Sequence, residues 1–123
     1  MVFSSPTTTP QILVLGSGLT AAMLGVFALE EYGFKATLAD SAESAEAVFN
    51  STETDLIVLD WELTQAHRVL QLLRQRVPSV PVIIIASTSL PQEVRASAAA
   101  VIRHSEVTES LISLLRIALP RTT

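Results

Sequence analysis

Residues 55–63 read Asp-Leu-Ile-Val-Leu-Asp-Trp-Glu-Leu, or DLIVLDWEL. The apolar run Leu56–Leu59 shows no polar alternation, and acidic residues bound it on both sides. A short continuous run of that kind fits a strand buried on both faces, as in a parallel sheet covered by helices on either side. Working outward, Gln11–Leu15 (QILVL) is a second such run, ended by Gly16-Ser17-Gly18. Lys35–Ala39 (KATLA) is another strand, and so is Val80–Ala86 (VPVIIIA), with Pro81 near its start, where a missing N–H is tolerated. Val101–Arg103 is a brief fifth.

Helical segments fill the intervals. Thr20–Tyr32 is the first, with Gly33 as the residue after it that accepts left-handed dihedrals. Asp40 and Ser41 are both good N-caps for a helix running through Phe49. Thr64–Val77 follows, with Val69, Leu72, Leu73 and the stem of Arg76 near one face. Ser89 is expected to open a short helix, with Gln92 as its capping-box partner. Thr108–Leu119 is the last. Strands alternating with helices must run parallel, and right-handed crossovers place the helices on both faces of one sheet. The predicted fold is therefore α/β: a flavodoxin-like (βα)5 domain with a doubly wound, five-stranded parallel sheet in the order 2-1-3-4-5. A functional site belongs at the carboxyl ends of the strands, near Gly16–Gly18, Asp60–Glu62, Ala86–Thr88 and Arg103–Ser105.

Composition sets the outer bounds. The chain has 123 residues, enough for one domain. Residues 1–10 read as a polar lead, 11–119 as the domain and 120–123 as a tail. Apolar residues make up 49% and charged residues only 16%, against an ordinary charged share of about 25%. Such a chain has enough apolar area to offset its ordering entropy. No stretch approaches the roughly 20 uninterrupted apolar residues of a membrane span. The lead lacks the basic start and apolar core of a secretion signal, which implies a cytoplasmic protein. With a net charge of −4, no general grip on nucleic acid is expected. The absence of cysteine excludes disulfides, thiol catalysis and a cysteine zinc site. Aspartate occurs only at positions 40, 55 and 60, and Lys35 is the only lysine.

Over residues 11–119 the chain resembles the receiver domain of response regulators in two-component signalling. The resemblance is carried by DLIVLDWEL at 55–63, by Pro78-Ser79-Val80-Pro81-Val82-Ile83-Ile84-Ile85 and by the order and spacing of the elements. It implies that Asp60 stands at the phosphoacceptor position of a phosphorelay. A carboxylate is a weak nucleophile toward an anionic donor, so the reaction needs a cation to screen charge and align oxygens. Receivers hold Mg²⁺ with an acidic pair after the first strand, the acceptor aspartate and waters. A Thr or Ser after the fourth strand and a Lys after the fifth bind the phosphoryl oxygens. In this chain the acidic pair falls on Gly16 and Ser17. The hydroxyl position falls on Ala86, or on Ser87 after a slip of one residue. The lysine position falls near His104, followed by Ser105 in place of the usual proline. The interval between Ala86 and His104 is short, so the fourth helix is expected to be trimmed. Lys35 begins the second strand, at the wrong end of the sheet.

These departures predict a stand-alone, degenerate (pseudo-)receiver, with no catalytic chemistry, cofactor or metal of its own, that acts through protein–protein contact. The alternative is a conventional phosphoreceiver modified at Asp60. A third reading comes from Gly16-Ser17-Gly18-Leu19-Thr20-Ala21, which fits G-x-G-x-x-[GA] between a strand and a helix. Asp40 follows the second strand where a dinucleotide fold places its ribose-binding acid. On that reading Gly16, Gly18, Ala21 and Asp40 bind a nucleotide or another anion.

The remaining candidates have bland explanations. His67 and His104 have no partners to make a metal site. Ser17, Ser87 and Ser105 are expected around Asp60 and His104 as a filled-in polar pocket rather than a hydrolase triad. Trp61 is expected to pack against the rim, and Arg68, Arg74 and Arg76 to form a solvated helix face. The last helix carries Thr108, Leu111, Ile112, Leu115, Ala118 and Leu119 on one apolar face, with Leu114 and Ile117 as an additional stripe. In receivers the surface formed by the fourth helix, fifth strand and fifth helix is the usual partner face. The resemblance therefore implies a homodimer or a signalling-protein partner there, with Leu114 and Ile117 on the interaction face.

Overall fold

The computed structural model describes residues 11–16, 33, 35–51, 53–63, 65–87 and 89–103. The predicted first and last helices, the lead and the tail lie outside them. Five strands form one parallel sheet: β1 (Gln11–Leu15), β2 (Lys35–Ala39), β3 (Leu56–Asp60), β4 (Val82–Ala86) and β5 (Ala100–Arg103). Their order is β2-β1-β3-β4-β5, the predicted arrangement. Three described helices join them: α1 (Ala42–Ser51), α2 (Ala66–Arg76) and α3 (Gln92–Ser97).

The central strands are buried from end to end, as their unbroken apolar runs require. Leu13, Leu15, Ile57, Leu59, Val82, Ile84 and Ala86 form one core with Ala45 of α1, Val69, Leu70 and Leu73 of α2, and Val94 of α3. Their sequence neighbours point to the opposite side of the sheet. Those residues, Ile12, Val14, Leu56, Val58, Ile83 and Ile85, are also buried. Both faces are thus covered, as in a doubly wound sheet, and the described helices pack on one of them. Burying an Ile or Leu side chain this completely contributes about 1.5–3 kcal/mol, so the central strands dominate the stability of the sheet. Pro81 precedes β4 and accepts a hydrogen bond from Ile57 N–H at 3.0 Å. It lacks a donor but still serves the ladder through its carbonyl.

Three local expectations need correction. Ser89 does not cap a helix: α3 begins at Gln92, and Pro91 stands at the N-cap without a side-chain capping bond. The Pro91 ring crowds the backbone of Leu90 and disfavours helical conformation there, and Leu90 is itself buried, so the helix begins after them. In α2 the buried stripe is Ala66, Val69, Leu70 and Leu73, so Leu70 takes the place expected for Leu72, which is half-buried. Arg76 is exposed, and its guanidinium reaches α1, donating to Glu46 Oε2 at 3.0 Å and to Asn50 Oδ1 at 2.9 Å. The trimmed fourth helix is present as the six-residue α3.

Candidate functional site

The carboxyl ends of the strands converge on Asp60, the one buried charged side chain among the described residues. Leu15 pairs with Leu59 and Asp60 with Ile85. One residue further along β1 and β3, Gly16 stands level with Asp60. Neighbouring strands lie roughly 4.8 Å apart, so the residue at position 16 flanks Asp60 directly. Gly16 is buried, and its N–H continues the ladder to Ala39 O at 3.0 Å. It brings no side chain to this edge of the aspartate.

Asp60 also shapes its own loop. Its Oδ1 accepts the Glu62 N–H at 3.0 Å, the aspartate turn that bends a chain two residues ahead. The Leu63 N–H donates to Asp60 O at 3.0 Å, closing the turn. Trp61 N–H donates to Ile85 O at 2.8 Å, which carries the β3–β4 ladder one residue past the strand. The Trp61 ring is half-buried against the core, and its centroid lies 6.2 Å from that of the exposed His67 in an edge-on contact. The loop enters α2 through Gln65, a non-glycine residue in the left-handed region at φ 63°, ψ 32°.

On the other side of Asp60, Ala86 follows the register partner Ile85. Its methyl group is buried in the core. The next residue, Ser87, is exposed, and its hydroxyl donates to Glu62 Oε2. Arg103 pairs with Ala86 and is exposed. Lys35 pairs with Gln11 at the opposite end of the sheet. Ser17, Gly18, Ala21, His104, Ser105, Leu114 and Ile117 lie outside the described residues.

Asp40 is engaged locally. Ser41 caps α1, its Oγ accepting the Ser44 N–H at 3.1 Å while Ser44 Oγ accepts the Ser41 N–H at 3.1 Å. Ser44 Oγ also contacts Asp40 Oδ1 at 3.3 Å. Of the two predicted caps, Ser41 is therefore the one that binds the helix amides, in a reciprocal capping box. Asp40 is exposed beside it.

A Mg²⁺ ion demands near-octahedral oxygen coordination, and the position flanking Asp60 is glycine. Among the described residues no group of three His, Cys, Asp or Glu side chains could hold a metal. Nor, among them, is any helix long and apolar enough to cross a membrane. Two residues carry structural roles with no sequence signature. Asp55 clamps the start of β1, its Oδ2 accepting the Gln11 N–H at 2.8 Å while its own N–H donates to Gln11 O at 2.8 Å. Gln65 is the other, since glycine or asparagine would have signalled its conformation.

Solved structures share this fold. The signal receiver domain of an HD domain-containing protein from Pseudomonas fluorescens Pf-5 superposes with a TM-score of 0.78, over 95% of this chain and 91% of that one, at 21% identity. A CheY-like response regulator receiver domain from Methylobacillus flagellatus gives a TM-score of 0.79 over 91% of this chain and all (100%) of that chain, at 17% identity. The fold is that of a receiver domain. Brucella abortus NtrX, solved in complex with ADP, contains a similar unit: TM-score 0.78, 24% identity, 91% of this chain and 26% of that one. No protein-family model and no curated protein matches the chain.

Proposed function

We propose that the chain is a degenerate receiver of two-component-type signalling, which acts by protein contact and is not switched by Mg²⁺-dependent phosphorylation of Asp60. The observation that carries this reading is Gly16 level with Asp60. With one carboxylate in place of a cluster, Mg²⁺ affinity is weak, and an anionic phosphodonor approaches Asp60 unscreened. Ala86 supports the same reading, because its methyl group occupies the core where a receiver presents a hydroxyl. No catalytic group is assigned. The test is a Mg²⁺ titration followed by beryllofluoride, watched through backbone amide NMR shifts. The proposal expects no saturable shift around Gly16, Asp60 and Ala86 at millimolar Mg²⁺. Saturable shifts there, completed by beryllofluoride, overturn it.

The conventional phosphoreceiver is favoured by one observation, the retention of Asp60 at the end of β3. It is the reading to which a positive beryllofluoride result returns. The reading puts the partner on the face that includes α3 and β5, with Leu114 and Ile117, by their sequence spacing, as its apolar stripe. For a homodimer, sedimentation detects self-association that the double change Leu114→Glu/Ile117→Glu abolishes without loss of fold. A strict monomer before mutation rules the homodimer out and leaves a different signalling protein as the partner.

A further inference from the structure

Along β2 the backbone groups alternate between the two sides of the strand. Gly16 N–H donates to Ala39 O at 3.0 Å, so Ala39, and with it Thr37 and Lys35, turn their N–H and C=O toward β1. Ala36 and Leu38 turn theirs to the outer edge, and among the described residues β1 is the one strand paired with β2. The Asp40 N–H, next in that row, is taken by Ser44 Oγ at 3.2 Å. The complete donor–acceptor pairs of the open row are therefore Ala36 and Leu38. Leu38 is also the one large apolar side chain exposed among the described residues, at 40%. The register with β1 is continuous, and neither proline nor charge interrupts Ala36–Ala39, so β2 lacks the devices by which an edge strand ordinarily refuses a neighbour.

We infer that this edge is a self-association surface, on which β2 of a second copy pairs antiparallel about a two-fold axis at Thr37. The register follows from the open row. Ala36 of each copy exchanges both backbone bonds with Leu38 of the other, which satisfies both open residues in each copy. Thr37 then stands opposite Thr37, a favourable cross-strand combination, and each Leu38 lies beside Ala36 of the other strand on one face. Charge selects this direction over a parallel one. Lys35 begins the strand and Asp40 follows it, and both are exposed. Antiparallel pairing brings the Lys35 end of one copy alongside the Asp40 end of the other, whereas parallel pairing sets like charges together. A two-fold pairing closes on itself, so it ends at a dimer. The surface lies at the opposite edge of the sheet from β5, so it stands or fails apart from the α3–β5 face.

The chain has no cysteine, so Thr37→Cys supplies a unique thiol. Across the two-fold axis the two Cα atoms of residue 37 stand about 4.5 Å apart, within the span of a disulfide. Under mild oxidation, full-length Thr37→Cys should form a linked dimer about tenfold faster or more than Gln75→Cys, an exposed position on α2. Sedimentation of the parent chain should show reversible dimers. Leu38→Lys, whose fold circular dichroism checks, should weaken them about tenfold or more, because the change enters twice in each dimer. Leu114→Glu/Ile117→Glu should leave them intact. A monomer at every concentration up to about 1 mM overturns the inference and leaves the edge to a strand of a different protein. Equal linking rates for Thr37→Cys and Gln75→Cys overturn it too, as do dimers that survive Leu38→Lys and vanish in Leu114→Glu/Ile117→Glu.

Discussion

Replacing Gln65 by glycine should stabilise the protein. Gln65 sits at φ 63°, ψ 32° with no side-chain capping bond to α2. An L-residue in the left-handed region loses about 1–2 kcal/mol to the clash between Cβ and the backbone. Glycine removes that clash but adds unfolded-state entropy of about 0.5–1 kcal/mol. The net gain is about 0.5–1 kcal/mol. With an unfolding entropy of ~2.1 cal/mol/K per residue, that raises Tm by about 2–4 °C for a chain of this length. The assay is thermal unfolding by circular dichroism, with urea denaturation as a second measure. Gln65→Ala should lie within about 0.5 kcal/mol of the parent, since Cβ remains and the side chain contributes no capping bond. Gln65→Asn should fall between alanine and glycine, because asparagine tolerates this region. A lower Tm for Gln65→Gly, or an equal rise for Gln65→Ala, would refute the assignment of strain to this residue.

Other substitutions test the packing around the site. Leu73→Ala empties a side-chain volume that is 1% exposed and should lower stability by about 2–5 kcal/mol, read from the urea midpoint. Ala86→Thr places a larger, polar side chain into the core cluster; it should destabilise by about 1–3 kcal/mol and confer no response to beryllofluoride. Arg76→Ala breaks an ion pair whose side chains are 40% and 42% exposed, so its effect in the same assay should stay below about 1 kcal/mol.

The sheet was legible because short, unbroken, β-branched-rich apolar runs such as LIVL at 56–59, bounded by Asp55 and Asp60, fit strands covered on both faces. Alternation with helices then gave the strands one direction, and the chain length favoured the flavodoxin-like order 2-1-3-4-5. Helical phase was less legible. Leu70, Leu72 and Leu73 are all apolar, so the pattern fits two neighbouring rotations of α2, and only docking against the sheet selects Leu70. Ser89 and Gln92 have the spacing of a capping box, yet Pro91 and the anchored Leu90 decide where α3 begins. At the site, the level placement of Gly16 beside Asp60 followed from two aligned strand ends. The partners of Glu62, Ser87 and Asp55 did not. They depend on side chains meeting across 25 and 44 residues of sequence, which no local pattern encodes.

On the proposed function, Asp60 holds a phosphoacceptor position without the charges that phosphoryl transfer requires. Intact-mass spectrometry after incubation with Mg²⁺ and a small-molecule phosphodonor tests it most directly. The expected result is an unchanged mass. A stoichiometric gain of one phosphoryl group that disappears in Asp60→Asn would contradict the claim and make the protein a working phosphoreceiver.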